Sequence, residues 1–231
     1  MRIEELDWSD TEWGTISLRR RVDPVTSREV HEVKLDEDFL MSSQFTEGER
    51  ELARLGLEAV TGDRLRVLVG GLGLGYTAWT AAADPRVAEL VVIEALEPVI
   101  GWHRRELFDD TRGLAADPRV RLERDDFFDL VRSGRGGRPY DALLVDIDHA
   151  PDWLLRSDHG DFYTVPGLRA AGAMLVGGGV LALWSDEPPE PEFLDRLGVA
   201  FEHADAHVVT FPNPLTGGES TNTVYLGRGP R

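Results

Sequence analysis

Residues 66–94 constrain the fold of this chain more than any other segment. They read RVLVGGLGLGYTAWTAAADPRVAELVVIE: an apolar strand, a glycine-rich turn, a helix, and a second apolar strand that ends in an acid. This order predicts a βαβ unit, in which a helix connects two parallel strands. The turn after the first strand of such a unit is a common place for a nucleotide to bind.

The turn contains Gly71, Gly73 and Gly75, which lack a Cβ and let the backbone approach a ligand closely. Their G-x-G-x-G spacing differs from the G-x-G-x-x-G of dinucleotide sites. Glu94 ends the second strand, where a carboxylate can accept hydrogen bonds from both ribose hydroxyls. The combination is typical of folds that bind S-adenosylmethionine. The alternative is a glycine-rich turn in some other α/β protein.

Composition narrows the class of partner. The formal net charge of −17 argues against nucleic acid and against an anionic membrane surface, and it is compatible with a cationic substrate. The chain has no cysteine, which excludes disulfides, thiolate zinc sites and cysteine nucleophiles. No metal-ligand spacing such as H-E-x-x-H occurs, so we expect no metal. The acidic start, MRIEELDWSD, has no apolar signal region, and we expect a cytoplasmic protein.

The chain divides into two parts. Residues 1–45 form a small N-terminal β segment, because residues 13–18 and 30–35 alternate and residues 39–41 can add a third strand. So small a sheet should pack on the main domain or on another subunit. Residues 46–231 form the main domain, which opens with a capping-box pattern at Thr46–Glu49 and a helix to about residue 60.

Strands and helices alternate from residue 66, which predicts an α/β fold with a Rossmann-like, mainly parallel, seven-stranded sheet. The last two strands are separated only by a loop and should form a C-terminal antiparallel hairpin, as in the class I methyltransferase architecture. Strands are predicted near 66–69, 89–93, 119–122, 141–145, 178–184, 203–210 and 222–227, and helices near 76–83, 97–107, 126–132, 163–173 and 190–197.

Ligands of open α/β sheets lie outside the carboxyl ends of the strands, so the residues there are candidates for the site. Asp125, Asp126 and Phe127 follow the third strand of the main sheet. An acid there can accept a hydrogen bond from an adenine amino group, and the aromatic ring can cover a base. Asp126 can instead cap the next helix, with Asp125 on the base.

Asp146, Asp148 and His149 follow the fourth strand, nearest the expected position of a transferred group. Two carboxylates and an imidazole there could orient an amine or take its proton. A helix cap at Asp148 and a solvated turn are the alternatives. The loop from 148 to 163 could close as an apolar lid or be a plain surface segment. His103, on a helix, is expected at the surface.

Nearly the whole chain resembles the spermidine synthase (polyamine aminopropyltransferase) family, a branch of the methyltransferase fold. The resemblance rests on LDEDFLMSSQFTEGERELARLGL, VLVGGLGLGYT, VVIEALEPVIGWHRR, RLERDDFFDL and YDALLVDIDHAP. It implies a donor bound through Glu94 at the ribose and Asp125 at the adenine. Three positions depart from the family: Gly73 and Leu96 stand where it has acids, and the second acid of its Asp-x-x-Asp turn is His149 or has shifted to Asp148.

These observations predict an S-adenosylmethionine-type-donor-dependent transferase that acts on a small-molecule acceptor, an amine being one candidate. Since Gly73 replaces the acid that holds the donor's amine, we favour methyl transfer from S-adenosylmethionine, with Asp146 orienting or deprotonating the acceptor and Asp148 or His149 assisting. Aminopropyl transfer from decarboxylated S-adenosylmethionine is the alternative, and a non-catalytic nucleoside-binding homologue is another. The resemblance and exposed aromatics such as Trp8 and Trp13 imply a homodimer.

Overall fold

The structure, a computed structural model, describes residues 3–231, so residues 1 and 2 of the predicted N-terminal segment lie outside the described residues. Within that range no helix has the length and apolar character needed to cross a membrane. The strands are β1 Ile3–Thr11, β2 Gly14–Val22, β3 Glu29–Leu35, β4 Asp38–Ser42, β5 Leu65–Gly70, β6 Val87–Glu94, β7 Val120–Arg124, β8 Tyr140–Val145, β9 Leu175–Ser185, β10 Phe201–Asn213 and β11 Gly218–Pro230. The helices are α1 Glu47–Glu58, α2 Tyr76–Ala83, α3 Glu97–Arg104, α4 Phe127–Ser133, α5 Val165–Gly172 and α6 Pro191–Ala200, with 3₁₀ turns at Leu114–Ala116 and Ser157–Tyr163.

The large sheet has seven strands in the order β10-β11-β9-β8-β5-β6-β7. The pairs β5–β6, β5–β8, β6–β7 and β8–β9 are parallel, while β11 runs antiparallel to both β9 and β10. The predicted α/β fold with a closing antiparallel hairpin is therefore confirmed. The strand order places the carboxyl ends of β5, β6, β7 and β8 side by side.

Helices cover both faces of this sheet. In β5, Val67 and Val69 pack into one core with α1 and α2, whereas Leu68 points to the opposite core with α4 and α5. Successive side chains of a strand point to opposite faces, so a run of apolar residues is what a strand buried on both sides requires. The central strands are thereby fixed in place, and the turns at their carboxyl ends are held by a rigid framework.

The N-terminal sheet has four antiparallel strands in the order β1-β2-β3-β4, one more than predicted. The unpredicted strand is β1, whose sequence IEELDWSDT is acidic and lacks a clear apolar face. It pairs with the arginine-rich β2, in register Glu4 to Arg20 and Glu5 to Arg19, and Arg20 donates to Glu4 at 2.7 Å. Opposite charges across the strand pair stabilise what hydrophobic alternation alone would not reveal.

The start of α1 differs from its predicted capping box. The Thr46 side chain makes no capping hydrogen bond; its Oγ1 instead accepts from Arg50 Nε at 3.2 Å. Glu47 accepts from the Thr46 backbone N–H at 2.9 Å. Glu49, the second half of the predicted box, faces a cavity of the main domain. The predicted capping box was therefore wrong, because Thr46 makes no capping bond and the Glu49 side chain lines a cavity.

The tetrapeptide Asp-Pro-Arg-Val occurs twice, at 84–87 and 117–120, each time just before a strand. Arg86 donates to the backbone oxygens of Leu57 and Val60 at the end of α1, at 2.9 and 3.1 Å. Arg119 donates in the same way to Ala82 and Val87 at 2.8 and 3.2 Å. Each guanidinium satisfies carbonyls left unpaired where a helix or loop ends. Both clamps lie at the amino edge of the sheet.

Candidate active site

Two adjoining cavities open at the carboxyl edge of the parallel strands. The Glu94 cavity extends from Glu94 to the start of α4. The Glu49 cavity lies between α1, α2 and the end of β8. They share a wall made of Leu40, Met41, Gly73, Asp146 and Ile147. Ligands in the two cavities would therefore meet at this wall.

Gly71 brings the glycine turn against the end of β8. Its φ is +90°, and a Cβ at this position would fall on the backbone oxygen of Asp146. Only glycine tolerates both the left-handed backbone and that contact. Gly73 and Gly75 also have positive φ, and a Cβ at Gly73 would meet Met41 Sδ at 2.6 Å. Met41 of the N-terminal sheet thus occupies the space that a side chain at residue 73 would take.

His103 lies beneath the glycine turn, so its predicted surface position was wrong. The side chain is buried, and its Nε2 is 2.9 Å from the backbone oxygen of Gly73. Burial lowers the pKa of His103 to about 4, which keeps the ring neutral near pH 7. The neutral ring donates from Nε2 to Gly73 and so helps to fix the turn. The helix pattern of α3 gave no sign of this, because the partner is 30 residues away.

Glu94 lies at the end of β6, as predicted, and lines the first cavity. Its Oε2 accepts from the backbone N–H of Leu72 at 3.0 Å, and its Oε1 accepts from that of Leu96 at 2.9 Å. Burial raises the pKa of Glu94, while these backbone donors oppose the rise. Each carboxylate oxygen has a further lone pair. The backbone N–H groups of Gly73 and Ala95 also act on this carboxyl group, so a ribose would share the remaining lone pairs with them.

The residues after β7 take different places. Asp126 accepts from the backbone N–H groups of Phe128 and Asp129 at 2.8 and 3.0 Å, so it caps α4, and it also lines the Glu94 cavity. Phe127 is buried and lines the same cavity. Asp125 does not line the cavity and forms an ion pair with Arg135 at 3.1 Å. The assignment of Asp125 to a base stays a prediction, and it requires a ligand to compete with Arg135.

Asp146 lies at the shared wall, where it follows β8. Its Oδ2 accepts from Thr77 Oγ1, in the first turn of α2, at 2.6 Å. Burial raises the pKa of Asp146 to about 6, and the hydroxyl of Thr77 limits that rise. A carboxylate with a pKa near 6 is ionised at pH 7 and is basic enough to accept a proton.

Glu49 lines the second cavity together with Asp146, and the sequence analysis missed it. Burial raises the pKa of Glu49 to about 8, with a further contribution from the negative charge of Asp146. Neither arginine nor lysine lines this cavity among the described residues. Two carboxylates that share a cavity without a cation attract a positively charged ligand.

Asp148 is directed away from both cavities and is 2% exposed. Its oxygens accept from Leu155 N at 2.7 Å and from Tyr163 OH at 2.8 Å, and His159 Nδ1 lies 2.8 Å away. These partners belong to the loop after β8. The geometry favours Asp148 as an anchor for that loop over contact with an acceptor.

His149 lines the Glu49 cavity, as its candidate role requires, and its ring lies against Trp153 with centroids 4.8 Å apart. Of the two candidate partners for Asp146, His149 therefore lines a cavity together with Asp146, whereas Asp148 lines neither cavity. Trp153 itself is 55% exposed, so the loop around it is open to solvent.

The N-terminal sheet and the loop after β8 cover the Glu94 cavity. The sheet contributes Trp13, Ile16, Val33, Leu40 and Met41, and the loop contributes Leu155 and His159. Trp13 is half-buried, with the Arg156 guanidinium 4.9 Å from its ring centroid. Trp13 was predicted to be exposed, but it serves as part of the cavity. Within residues 3–231 no group of three or more candidate ligand side chains is arranged for a metal ion.

No known family model matches the chain. A polyamine aminopropyltransferase of Corynebacterium efficiens is 29% identical over 177 residues, which are 71% of this chain and 33% of the relative. The chain thus spans about a third of the length of the curated relative that it matches.

Solved structures of spermidine synthases superpose on nearly the whole chain. The enzyme from Thermotoga maritima gives a TM-score of 0.74 at 15% identity, covering 97% of this chain and 72% of its own. A spermidine synthase in complex with the transition-state analogue AdoDATO gives 0.75 at 16% identity, covering 97% and 73%. The chain therefore has the spermidine synthase fold, a form of the class I methyltransferase fold, and it is similar in sequence to a polyamine aminopropyltransferase.

Proposed function

We propose that this protein is a transferase that moves an aminopropyl group from decarboxylated S-adenosylmethionine to an amine. The observation that carries the proposal is the pair of half-buried carboxyl groups, Glu49 and Asp146, in one cavity that no arginine or lysine among residues 3–231 lines. An ammonium group of the acceptor or of the donor tail would neutralise them. The similarity to a polyamine aminopropyltransferase supports the same reaction.

The nucleoside of the donor would occupy the Glu94 cavity. Glu94 lines this cavity at the place where the ribose hydroxyls would lie, and Phe127 and Asp126 line the end where a base would lie. Gly71, Gly73 and Gly75 allow the backbone to approach the sulfonium and its substituents. One solved neighbour is in complex with the analogue AdoDATO.

The tail of the donor distinguishes the two transfer reactions. Gly73 suggested room for the full amino-carboxyl tail, but Met41 fills the space beside it. The acidic side chains that line the adjoining cavity are Glu49 and Asp146, and no arginine or lysine among residues 3–231 lines it. A donor carboxylate would be repelled there, whereas an aminopropyl ammonium would be attracted. The electrostatics therefore favour the decarboxylated donor.

The reaction needs a neutral amine placed in line with the carbon–sulfur bond. The amine nitrogen attacks the methylene carbon attached to the sulfonium, a C–N bond forms, and the C–S bond breaks to release a neutral thioether nucleoside. The attacking nitrogen then gives a proton to Asp146, whose pKa of about 6 suits a base at neutral pH. His149, in the same cavity, is placed to pass the proton to solvent.

Methyl transfer from S-adenosylmethionine is the second candidate, since the same fold and nucleoside cavity serve it. Gly73, which offers no acid to a donor amine, is the observation that favours it. A non-catalytic nucleoside-binding protein is the third, and the half-buried, hydrogen-bonded position of Asp146 argues against it.

Calorimetric titration with S-adenosylmethionine and, separately, with its decarboxylated form tests the proposal. We expect tighter binding of the decarboxylated donor, and we expect Glu49→Gln to reduce that preference. Preference for the carboxylated donor would reject aminopropyl transfer in favour of methyl transfer. Binding of neither donor would reject the donor site itself.

We also propose that the protein forms a homodimer through its N-terminal sheet. Large apolar side chains are exposed there, among them Ile3, Trp8 and Phe39, at 51%, 57% and 53%. Apolar side chains concentrated on one small sheet favour association. Size-exclusion chromatography with light scattering should give twice the chain mass; a monomer at micromolar concentration would reject the dimer.

A further inference from the structure

His159 has a buried polar atom without a partner. The residue is 1% exposed, and its Nε2 lies buried with no hydrogen-bond partner. A buried imidazole nitrogen left unpaired costs free energy, so such groups are rare and call for an explanation. His159 also lines the Glu94 cavity. The unpaired nitrogen therefore belongs to a side chain that borders the place assigned to the donor nucleoside.

The surroundings of His159 fix which nitrogen carries the proton. Nδ1 lies 2.8 Å from Asp148 Oδ1, and Asp148 also accepts from Leu155 N and Tyr163 OH. A carboxylate can only accept, so Nδ1 carries hydrogen. In the neutral ring Nε2 then has a free lone pair and acts as an acceptor. Asp148 is a positioning residue that sets this tautomer.

The ring is also held in a fixed orientation. It stacks on Phe128, with centroids 4.0 Å apart and planes inclined by 30°. Phe128 and its neighbours Asp126 and Phe127 line the same cavity. One ring edge is bonded to Asp148 and one face is covered, so Nε2 is the polar atom of the ring that is left without a partner. A hydrogen-bond acceptor held among aromatic side chains suits a planar base that carries an N–H group.

We propose that His159 Nε2 accepts a hydrogen bond from the exocyclic amino group of the donor's adenine and so selects that base. The inference rests on the nucleoside site of the proposed function but not on which group is transferred. An amino group has two hydrogens, so a bond to His159 leaves the second for another acceptor such as Asp125. Asp125 is ion-paired to Arg135 and does not line the Glu94 cavity, whereas Nε2 of His159 has no partner and the ring is held by Asp148.

The test measures selection of the base by the intact protein. The ligands are 5′-methylthioadenosine and its analogue with hydrogen in place of the 6-amino group. His159→Phe removes the acceptor and retains a ring that can stack on Phe128. Tyr163→Phe is the matched control, since it removes another bond to Asp148 and leaves Nε2 in place.

We expect His159→Phe to weaken binding of the adenine ligand about tenfold and to leave binding of the 6-hydrogen analogue unchanged. Tyr163→Phe should keep the preference of the wild-type protein. An equal loss for both ligands, or no loss for either, would overturn the inference, because a purely structural role does not distinguish the two bases.

A measurement on the wild-type protein keeps the test decisive if the variant fails to fold. Nitrogen NMR should show an unprotonated His159 Nε2 whose chemical shift changes with 5′-methylthioadenosine but not with the 6-hydrogen analogue. An unchanged or protonated Nε2 would overturn the inference. Base selection without aminopropyl turnover would reject the proposed reaction alone, whereas absence of nucleoside binding would reject both.

Discussion

Thr77 donates its hydroxyl hydrogen to Asp146 across 2.6 Å, joining the first turn of α2 to the end of β8. This bond ties the helix after the glycine turn to the carboxylate at the wall shared by the two cavities. It orients Asp146 and stabilises its ionised form. Burial raises the basicity of the proposed catalytic group, and a neighbour 69 residues earlier in the chain limits that rise.

Replacing Thr77 by valine should therefore change the pH dependence of turnover. Without the hydroxyl, burial raises the pKa of Asp146 further, and the acidic limb of the pH–kcat profile should move up by about one pH unit. Thr80→Val is the matched control, because Thr80 lies one turn later in α2 and its buried hydroxyl has no partner. A profile that does not move in Thr77→Val would exclude Asp146 as the titrating base.

Replacing Asp146 by asparagine should separate chemistry from binding. We expect kcat to fall at least about a hundredfold because the proton acceptor is lost. The dissociation constant for 5′-methylthioadenosine should change by less than about threefold, since the nucleoside contacts remain. Single-turnover kinetics and calorimetry measure the two effects. Asp152→Asn, in an exposed part of the loop, should behave as wild type; full activity in Asp146→Asn would reject Asp146 as the proton acceptor.

Glu49 should make the unliganded protein less stable as the pH rises. Its pKa is 4.5 in the unfolded chain and about 8 in the folded one, so the folded state holds this proton more tightly. Stability linked to Glu49 is complete below pH 4.5 and is lost as the pH rises towards 8. Relative to Glu49→Gln, the wild type should lose about 1–2 kcal/mol between about pH 6.5 and 8.

Urea denaturation of both proteins across this range measures the effect. His103 does not interfere, because its pKa falls from 6.5 to about 4 on folding and its contribution changes only below that window. A saturating diamine should abolish the difference by neutralising Glu49. Parallel stability curves for wild type and Glu49→Gln would show that folding does not raise the pKa of Glu49.

Gly71→Ala should be much more damaging than its backbone angle alone implies. Gly113 provides the comparison, since its φ of +85° is close to the +90° of Gly71 but no atom lies within 4 Å of a Cβ there. We expect a loss of about 1 kcal/mol for Gly113→Ala and of about 3 kcal/mol or more for Gly71→Ala. Equal losses, measured by chemical denaturation, would mean that the turn can move away from Asp146.

The sequence predicted the large sheet and the positions of Glu94 and Asp146 because alternating strands and helices place strand ends at one edge. That information is local: a strand, its length and the residue immediately after it. The placement of Gly71 beside Asp146 is a consequence of the same topology, since β5 and β8 are neighbours.

The contributions that depend on distant contacts could not be predicted in this way. Glu49 matched a helix-capping pattern, yet its side chain faces Asp146. His103 lay in an ordinary amphipathic helix, and its burial depends on the glycine turn that packs over it. The role of Asp148 depends on His159 and on the path of the intervening loop. Each of these requires the tertiary structure.

The paired Asp-Pro-Arg-Val clamps hold the amino edge of the sheet, at the opposite end of the strands from both cavities. The substitutions that would redirect the chemistry therefore fall on one edge, and the two arginine clamps fall on the other. An engineer could alter acceptor preference around Glu49 and compensate for lost heat tolerance near Arg86 or Arg119, because changes at the two edges should be nearly additive.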